Sequence, residues 1–254
     1  EKIPTHLKDE KDSIFLFNKA IVDNTQQNCV AYKINTAFYE ALGTKGWEFL
    51  TQTANYIKSN HPEIFLIADA KRGDIGNTSK MYAKAFFEQM PFDAITVAPY
   101  MGKDSIEPFL QFPGKWTIIL GLTSNKGSFD FQHLRTENQR KYFYEEVIKT
   151  SSYWGNPGNT MFVMGATQAE QFDSIRNIVP GHFLLVPGIG AQGGSLEKVS
   201  DHGINNQCGL LVNSSRSIIF NDPSNNFAKA AKYKAKEMQQ SMEAQLKKHK
   251  LIQE

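Results

Sequence analysis

The stretch Phe65-Leu66-Ile67-Ala68-Asp69-Ala70-Lys71-Arg72-Gly73-Asp74 passes from apolar residues straight into a carboxylate, an ammonium and a second carboxylate. Asp69 and Lys71 are two residues apart, the spacing that puts both side chains on one face of a strand. Phe65 and Ile67 share that parity. If they fill a barrel interior, Asp69 and Lys71 stand at its C-terminal mouth, where barrel active sites form. Opposite charges at the end of a buried strand are costly unless paired or used. The spacing fits a structural Asp–Lys pair plugging the barrel as well as a functional pair. A second lysine supports function. In Cys29-Val30-Ala31-Tyr32-Lys33-Ile34-Asn35, Lys33 ends the preceding strand with the parity of Cys29 and Ala31. Neighbouring strands would gather Lys33, Asp69 and Lys71, with Asp74 just past the turn. An alternating array of this kind balances its own charge and keeps each group ionised.

Two later segments suit an anion. Val186-Pro187-Gly188-Ile189-Gly190-Ala191-Gln192-Gly193-Gly194 follows one apolar run, and Asn213-Ser214-Ser215-Arg216 follows the next. Glycines let backbone N–H groups approach an anion, and an arginine clamps phosphate through two hydrogen bonds. Barrels often hold phosphate in the loops after their last two strands. Tight turns alone would also explain the glycines. Leu120-Gly121-Leu122-Thr123-Ser124-Asn125 ends in small hydroxyl and amide groups that suit a flat polar ring, or simply a solvated loop. The six histidines fall in no ligand spacing, so no metal is expected.

The elements that must position these groups are short apolar runs: Cys29–Tyr32, Phe65–Ala68, Ala94–Val97, Trp116–Leu120, Met161–Met164, Phe183–Val186 and Gly209–Val212. Each has strand length and strand-like content. Helical stretches separate them, among them Thr36–Ile57, Thr78–Gln89, Thr136–Thr150 and Thr167–Ile178. Such alternation predicts an α/β chain with a parallel sheet. Before Cys29, the apolar Ile14–Phe17 and Ala20–Val22 read as one helix capped by Asp12 or Ser13. Seven strands are thus expected where a closed (β/α)8 barrel needs eight. Either the sheet is open, or a first strand lies upstream of Glu1. No linker divides residues 1–254, so a single domain is expected. The lysine-rich tail Phe227–Glu254 reads as the solvated face of a last helix.

Composition narrows the class. The chain has 254 residues, 41% hydrophobic and 21% charged, an ordinary globular balance. Its 28 Lys and Arg against 26 Asp and Glu leave a formal charge of +2, too small to call for a nucleic-acid or membrane partner. Two cysteines make no disulfide framework, and the charged opening Glu1–Asp12 has no signal-peptide pattern. No apolar run approaches the ~20 residues that span a bilayer. A cytoplasmic enzyme is expected.

Together these segments resemble one family. Asp69-x-Lys71-x-x-Asp74-Ile75-Gly76-Asn77-Thr78 is similar to the signature of the orotidine 5′-phosphate decarboxylases. Tyr32-Lys33-x-Asn35, Thr123-Ser124-Asn125, Pro187-Gly188-Ile189-Gly190-Ala191-Gln192 and Ser215-Arg216 follow in that family's order, closest to its bacterial branch with long loops. The resemblance covers nearly the whole chain. It implies a (β/α)8 TIM barrel acting as a homodimer with shared active sites. It also implies loss of CO2 from orotidine 5′-phosphate, giving uridine 5′-phosphate (UMP) without cofactor. By position, Lys71 would protonate C6, and Asp69 would lie beside the substrate carboxylate. Lys33 and Asn35 would hold ribose hydroxyls. Asp74 and Thr78 would reach the partner subunit's site. Ser124 would bind the pyrimidine, Gln192 and Arg216 the phosphate, and Pro187 would line the ring. The family opens with a strand ending in Gly-Leu-Asp, which this sequence lacks, and Asp23 does not inherit that role.

Three rivals share some of these residues. A sugar-phosphate lyase or decarboxylase uses the same Asp-x-Lys-x-x-Asp spacing but needs Mg²⁺, so activity surviving chelation would dismiss it. A Schiff-base aldolase would use Lys33 or Lys71 as a neutral amine, whereas Asp69 and Asp74 favour the charged form. A phosphate-ligand sensor has no need of Asp69 beside an anionic ligand.

Overall fold

The computed structural model describes residues 2–136, 141–189 and 193–253. Seven strands follow one another in the sheet in chain order. They are β1 (Ala31–Asn35), β2 (Phe65–Arg72), β3 (Ala94–Val97), β4 (Trp116–Leu122), β5 (Thr160–Met164), β6 (Phe183–Pro187) and β7 (Leu210–Asn213). Each grows on one of the seven apolar runs. β1 departs most from expectation, starting at Ala31 and continuing to Asn35. A 3-10 turn over Gln26–Asn28 prolongs the preceding helix, so pairing begins only where Phe65 N–H meets the Val30 carbonyl. Lys33 therefore sits inside the strand rather than at its end, and Cys29 lies before it. The apolar stretch ahead of β1 is helical, Ser13–Thr25, with Asp12 at its N-cap but no capping side-chain bond.

The chain divides into two compact units, and β2 and β3 each contribute residues to both. The first unit comprises residues 1–70, 84–94 and 215–243. Here β1 and β2 run parallel, with Lys33 opposite Ile67 and Asn35 opposite Asp69. Helix Ser13–Thr25 and helix Phe227–Lys248 close a core of Phe17, Ile21, Phe227 and Ala231, the two phenylalanine rings stacked 5.1 Å apart. Phe227, Ala231 and Ala235 recur every four residues and are buried, whereas Lys229, Lys232 and Lys236 face solvent. Thr36–Ile57, expected as one helix, is two: Ala37–Glu40 and Gly43–Asn60. Gly43 takes a left-handed φ of +60° at the break, and Gly46 lies so close that a Cβ there would stand 1.7 Å from the Tyr39 carbonyl oxygen. Asn18 secures the arrangement by donating to Tyr39 Oη at 2.7 Å and Thr53 Oγ1 at 3.0 Å.

The second unit comprises residues 71–83, 95–214 and 244–254. β4 through β7 pair in parallel, and every residue of β5 is buried. The β4/β5 register slips between Leu120 and Leu122, a bulge centred on Gly121. A Cβ on Gly121 would meet Ile148 Cδ1 at 2.9 Å and the Val163 carbonyl oxygen at 3.0 Å, so glycine lets helix Phe143–Ser152 approach without displacing either. The expected helix Thr167–Ile178 is a 3-10 segment, Ala166–Gln171, kinked at Gln168 and followed by Phe172–Ile178. Helix Thr78–Gln89 is realised as Gly76–Phe87, and Thr136–Thr150 as Phe143–Ser152.

Candidate active site

β1 and β2 position the first group of candidate residues. Lys33 Nζ lies 2.5 Å from Asp69 Oδ2, with only 12% and 9% of the two side chains exposed. Parallel pairing at the expected parity makes this contact: both side chains leave the same face, and Lys33 stands two residues before the Asn35 that opposes Asp69. So little water reaches the pair that each charge depends on opposite charge close by. Asn35 is half-buried, and its Oδ1 accepts the Ala37 N–H at 3.1 Å, which holds the amide at the end of β1. Thr36 N–H donates to the Asp69 carbonyl at 3.4 Å and carries the ladder one step further. Arg216, in the same unit, opens the short helix Arg216–Ile219 three residues after β7 and is exposed.

The remaining described candidates lie in the second unit. Lys71 is exposed and departs from extended strand geometry, with a left-handed φ of +46°. The simple two-residue parity with Asp69 therefore stops at Lys71 itself. Its N–H donates to Thr96 Oγ1 at 2.9 Å. Asp74 is half-buried in the turn before helix Gly76–Phe87, and its Oδ1 accepts the Ile75 N–H at 2.8 Å. Its carbonyl accepts a bond from the buried Ser79 hydroxyl. Thr78 is exposed in the first turn of that helix, where backbone N–H groups and the helix dipole favour an anion.

Ser124 follows β4, half-buried and seated against Gly165 at the end of β5. A Cβ on Gly165 would lie 2.9 Å from Ser124 N. Gly165 N–H also donates to the Leu122 carbonyl at 2.8 Å. Pro187 ends β6 opposite Asn213 of β7. Beyond it, Ile189 and Gly194 form a bridge, and a Cβ on Gly194 would collide with Ala166 Cβ at 2.4 Å. The ends of β4, β5 and β6 are thus locked side by side. Gln192 lies outside the described residues.

Residues 16–232 match the family described as Orotidine 5'-phosphate decarboxylase / HUMPS family. This chain belongs to that family. An orotidine 5'-phosphate decarboxylase of Bacteroides fragilis (strain YCH46) is 60% identical over 247 residues, covering 97% of this chain and 90% of the relative. The solved OMP decarboxylase of Leishmania donovani superposes with a TM-score of 0.79 at 35% identity, over 92% of this chain and 87% of that one. The UMP synthase of the same organism gives 0.81 at 37% identity over 91% of this chain, which spans 50% of that longer chain. The strand–helix alternation is that of a (β/α)8-barrel decarboxylase.

Three residues of this decarboxylase-family chain support the candidates without having stood out in the sequence. Thr96 holds the Lys71 backbone. Gln132 accepts the Thr123 N–H through Oε1 at 2.8 Å and donates through Nε2 to Thr123 Oγ1 at 2.9 Å, which fixes the strand end that carries Ser124. Gly165 provides the seat for Ser124. Only Gly165 had a local signal, a glycine directly after an apolar run. Among the described residues, no three His, Cys, Asp or Glu side chains gather as metal ligands, and no helix is long and apolar enough to cross a membrane.

Proposed function

We propose that this chain decarboxylates orotidine 5′-phosphate to uridine 5′-phosphate, the last step of UMP synthesis, as a carboxy-lyase. The observation that carries the reading is the water-poor Lys33–Asp69 pair on adjacent strands, with Asp69 two residues before Lys71, in a chain of this family. The C6–carboxylate bond breaks and leaves its electron pair on C6, in the ring plane and outside the π system. That anion needs a fixed positive charge beside it. The Lys71 ammonium supplies the charge and transfers a proton to C6, so that C6 no longer recaptures the departing CO2. The neutral amine then regains a proton from solvent.

Asp69 opposes the substrate carboxylate until CO2 leaves. Two like charges ~4 Å apart at an effective dielectric of ~20 repel by about 4 kcal/mol, an upper figure of roughly three decades in rate. The Lys33 contact supports this role, because it holds the Asp69 carboxylate stationary. Lys33 and Asn35 hold ribose hydroxyls, Ser124 the pyrimidine edge, Pro187 the ring face, and Gln192 and Arg216 the phosphate. Asp74 and Thr78 serve the neighbouring site of a homodimer. Remote phosphate and ribose contacts add binding energy that is used at the transition state. The chain works as one cytoplasmic decarboxylase domain. The test is the fall in ultraviolet absorbance of orotidine 5′-phosphate with EDTA present. Steady turnover is expected, and no turnover with folded protein overturns the reading.

A further inference from the structure

We infer that Thr96 is a positioning residue for Lys71. Lys71 has a φ of +46°, in the left-handed region that side chains with a Cβ occupy only at a cost. Such conformations persist where the surroundings over-determine them, and they cluster at reacting positions. A hydrogen bond to the backbone of Lys71 itself contributes here. Lys71 N–H donates to Thr96 Oγ1 at 2.9 Å, and one residue later the ordinary ladder resumes, with Ala98 N–H donating to the Arg72 carbonyl at 2.7 Å. A side-chain hydroxyl thus takes one place among backbone bonds, at the residue where the chain turns. Thr96 is 1% exposed, so water does not compete for the hydroxyl, and its branched side chain is stiff about χ1. Its strand companions Ala94, Ile95 and Val97 are all apolar, and valine would fill the same volume. Packing therefore gives no reason for an oxygen at position 96. Holding the Lys71 backbone does.

The inference rests on Lys71 being the proton donor. A reacting group displaced by ~1 Å loses up to about a hundredfold in rate. Thr96→Val removes the acceptor and keeps the shape; Thr96→Ser keeps the acceptor. Thr96→Val is expected to lower kcat by about tenfold to a hundredfold, with uridine 5′-phosphate affinity within about twofold of wild type. Thr96→Ser should retain most of kcat. Three results each overturn the inference: a Thr96→Val kcat near wild type, a Thr96→Ser as slow as Thr96→Val, or product affinity falling in step with kcat. Should Thr96→Val not fold, Thr96→Cys, a weak acceptor of similar size, replaces it with the same expectations. Lys71→Ala is assayed alongside. If it turns over substrate, the donor reading fails and the inference falls with it. If it is inactive while Thr96→Val is fast, the inference alone fails.

Discussion

Lys33 and Asp69 stabilise each other because water reaches so little of either side chain. Removing the Lys33 ammonium takes a contacting positive charge from a poorly hydrated carboxylate, at a cost of about 3 kcal/mol. Lys33→Met is therefore expected to lower the urea midpoint markedly, and Lys33→Met combined with Asp69→Leu to recover part of the loss. A double variant less stable than Lys33→Met would show that the pair does not act as a unit. At Lys71 the expectation concerns chemistry. Lys71→Ala should abolish turnover while uridine 5′-phosphate still binds, measured by calorimetry; retained turnover removes its role as donor. The Lys33–Asp69 contact was legible in the sequence, because period-2 parity and strand adjacency suffice to pair them. The left-handed turn at Lys71 was not legible. It depends on a hydroxyl 25 residues away, and no local pattern encodes that.

The strands were readable as apolar runs, since fully buried parallel strands have little reason to alternate. What the runs hid was where the backbone must bend. Gly121 and Gly165 look like ordinary punctuation in the sequence, yet each admits a neighbour that any Cβ would displace. Gly165→Ala pushes directly on Ser124 N and Ser124 Cβ. The KM for orotidine 5′-phosphate should rise about tenfold in this variant, corresponding to about 1.4 kcal/mol. An unchanged KM would detach Ser124 from substrate binding. The long helix expected after Thr36 broke for a similar reason. A glycine inside a helix is usually tolerated, and the approach of the Tyr39 carbonyl to Gly46 is a tertiary fact. Gln132 was hidden in the same way, nine residues from the Thr123 it holds.

Two expectations belong to the molecule as a whole. If Asp74 serves a neighbouring subunit, then inactive Lys71→Ala and Asp74→Ala proteins, mixed under confirmed subunit exchange, should regain activity in hybrid dimers. No recovery would place each site within one chain. The second concerns acid. His182 is 7% exposed, neither ring nitrogen has a hydrogen-bond partner among the described residues, and burial, aided by the Arg176 charge, pushes its pKa below the ordinary 6.5. The unfolded chain therefore takes up a proton near pH 6.5 that the folded chain refuses until lower pH. Stability is unaffected by this group above that range and declines as pH falls through it. His182→Leu should flatten the decline of the urea midpoint between pH 7 and pH 5. An equal decline in both proteins assigns it elsewhere.

The same Arg176 makes a further connection. Its guanidinium donates to the carbonyls of Gly203 at 2.6 Å, His182 at 2.7 Å and Gly209 at 2.7 Å, and burial lowers its pKa to about 10. The last residue of helix Leu196–Gly203 and the residues leading into β6 and β7 thereby share one planar donor. None of them can open alone without stripping hydrogen bonds from a half-buried cation, so their amide protons should exchange with deuterium as a single cooperative event rather than loop by loop.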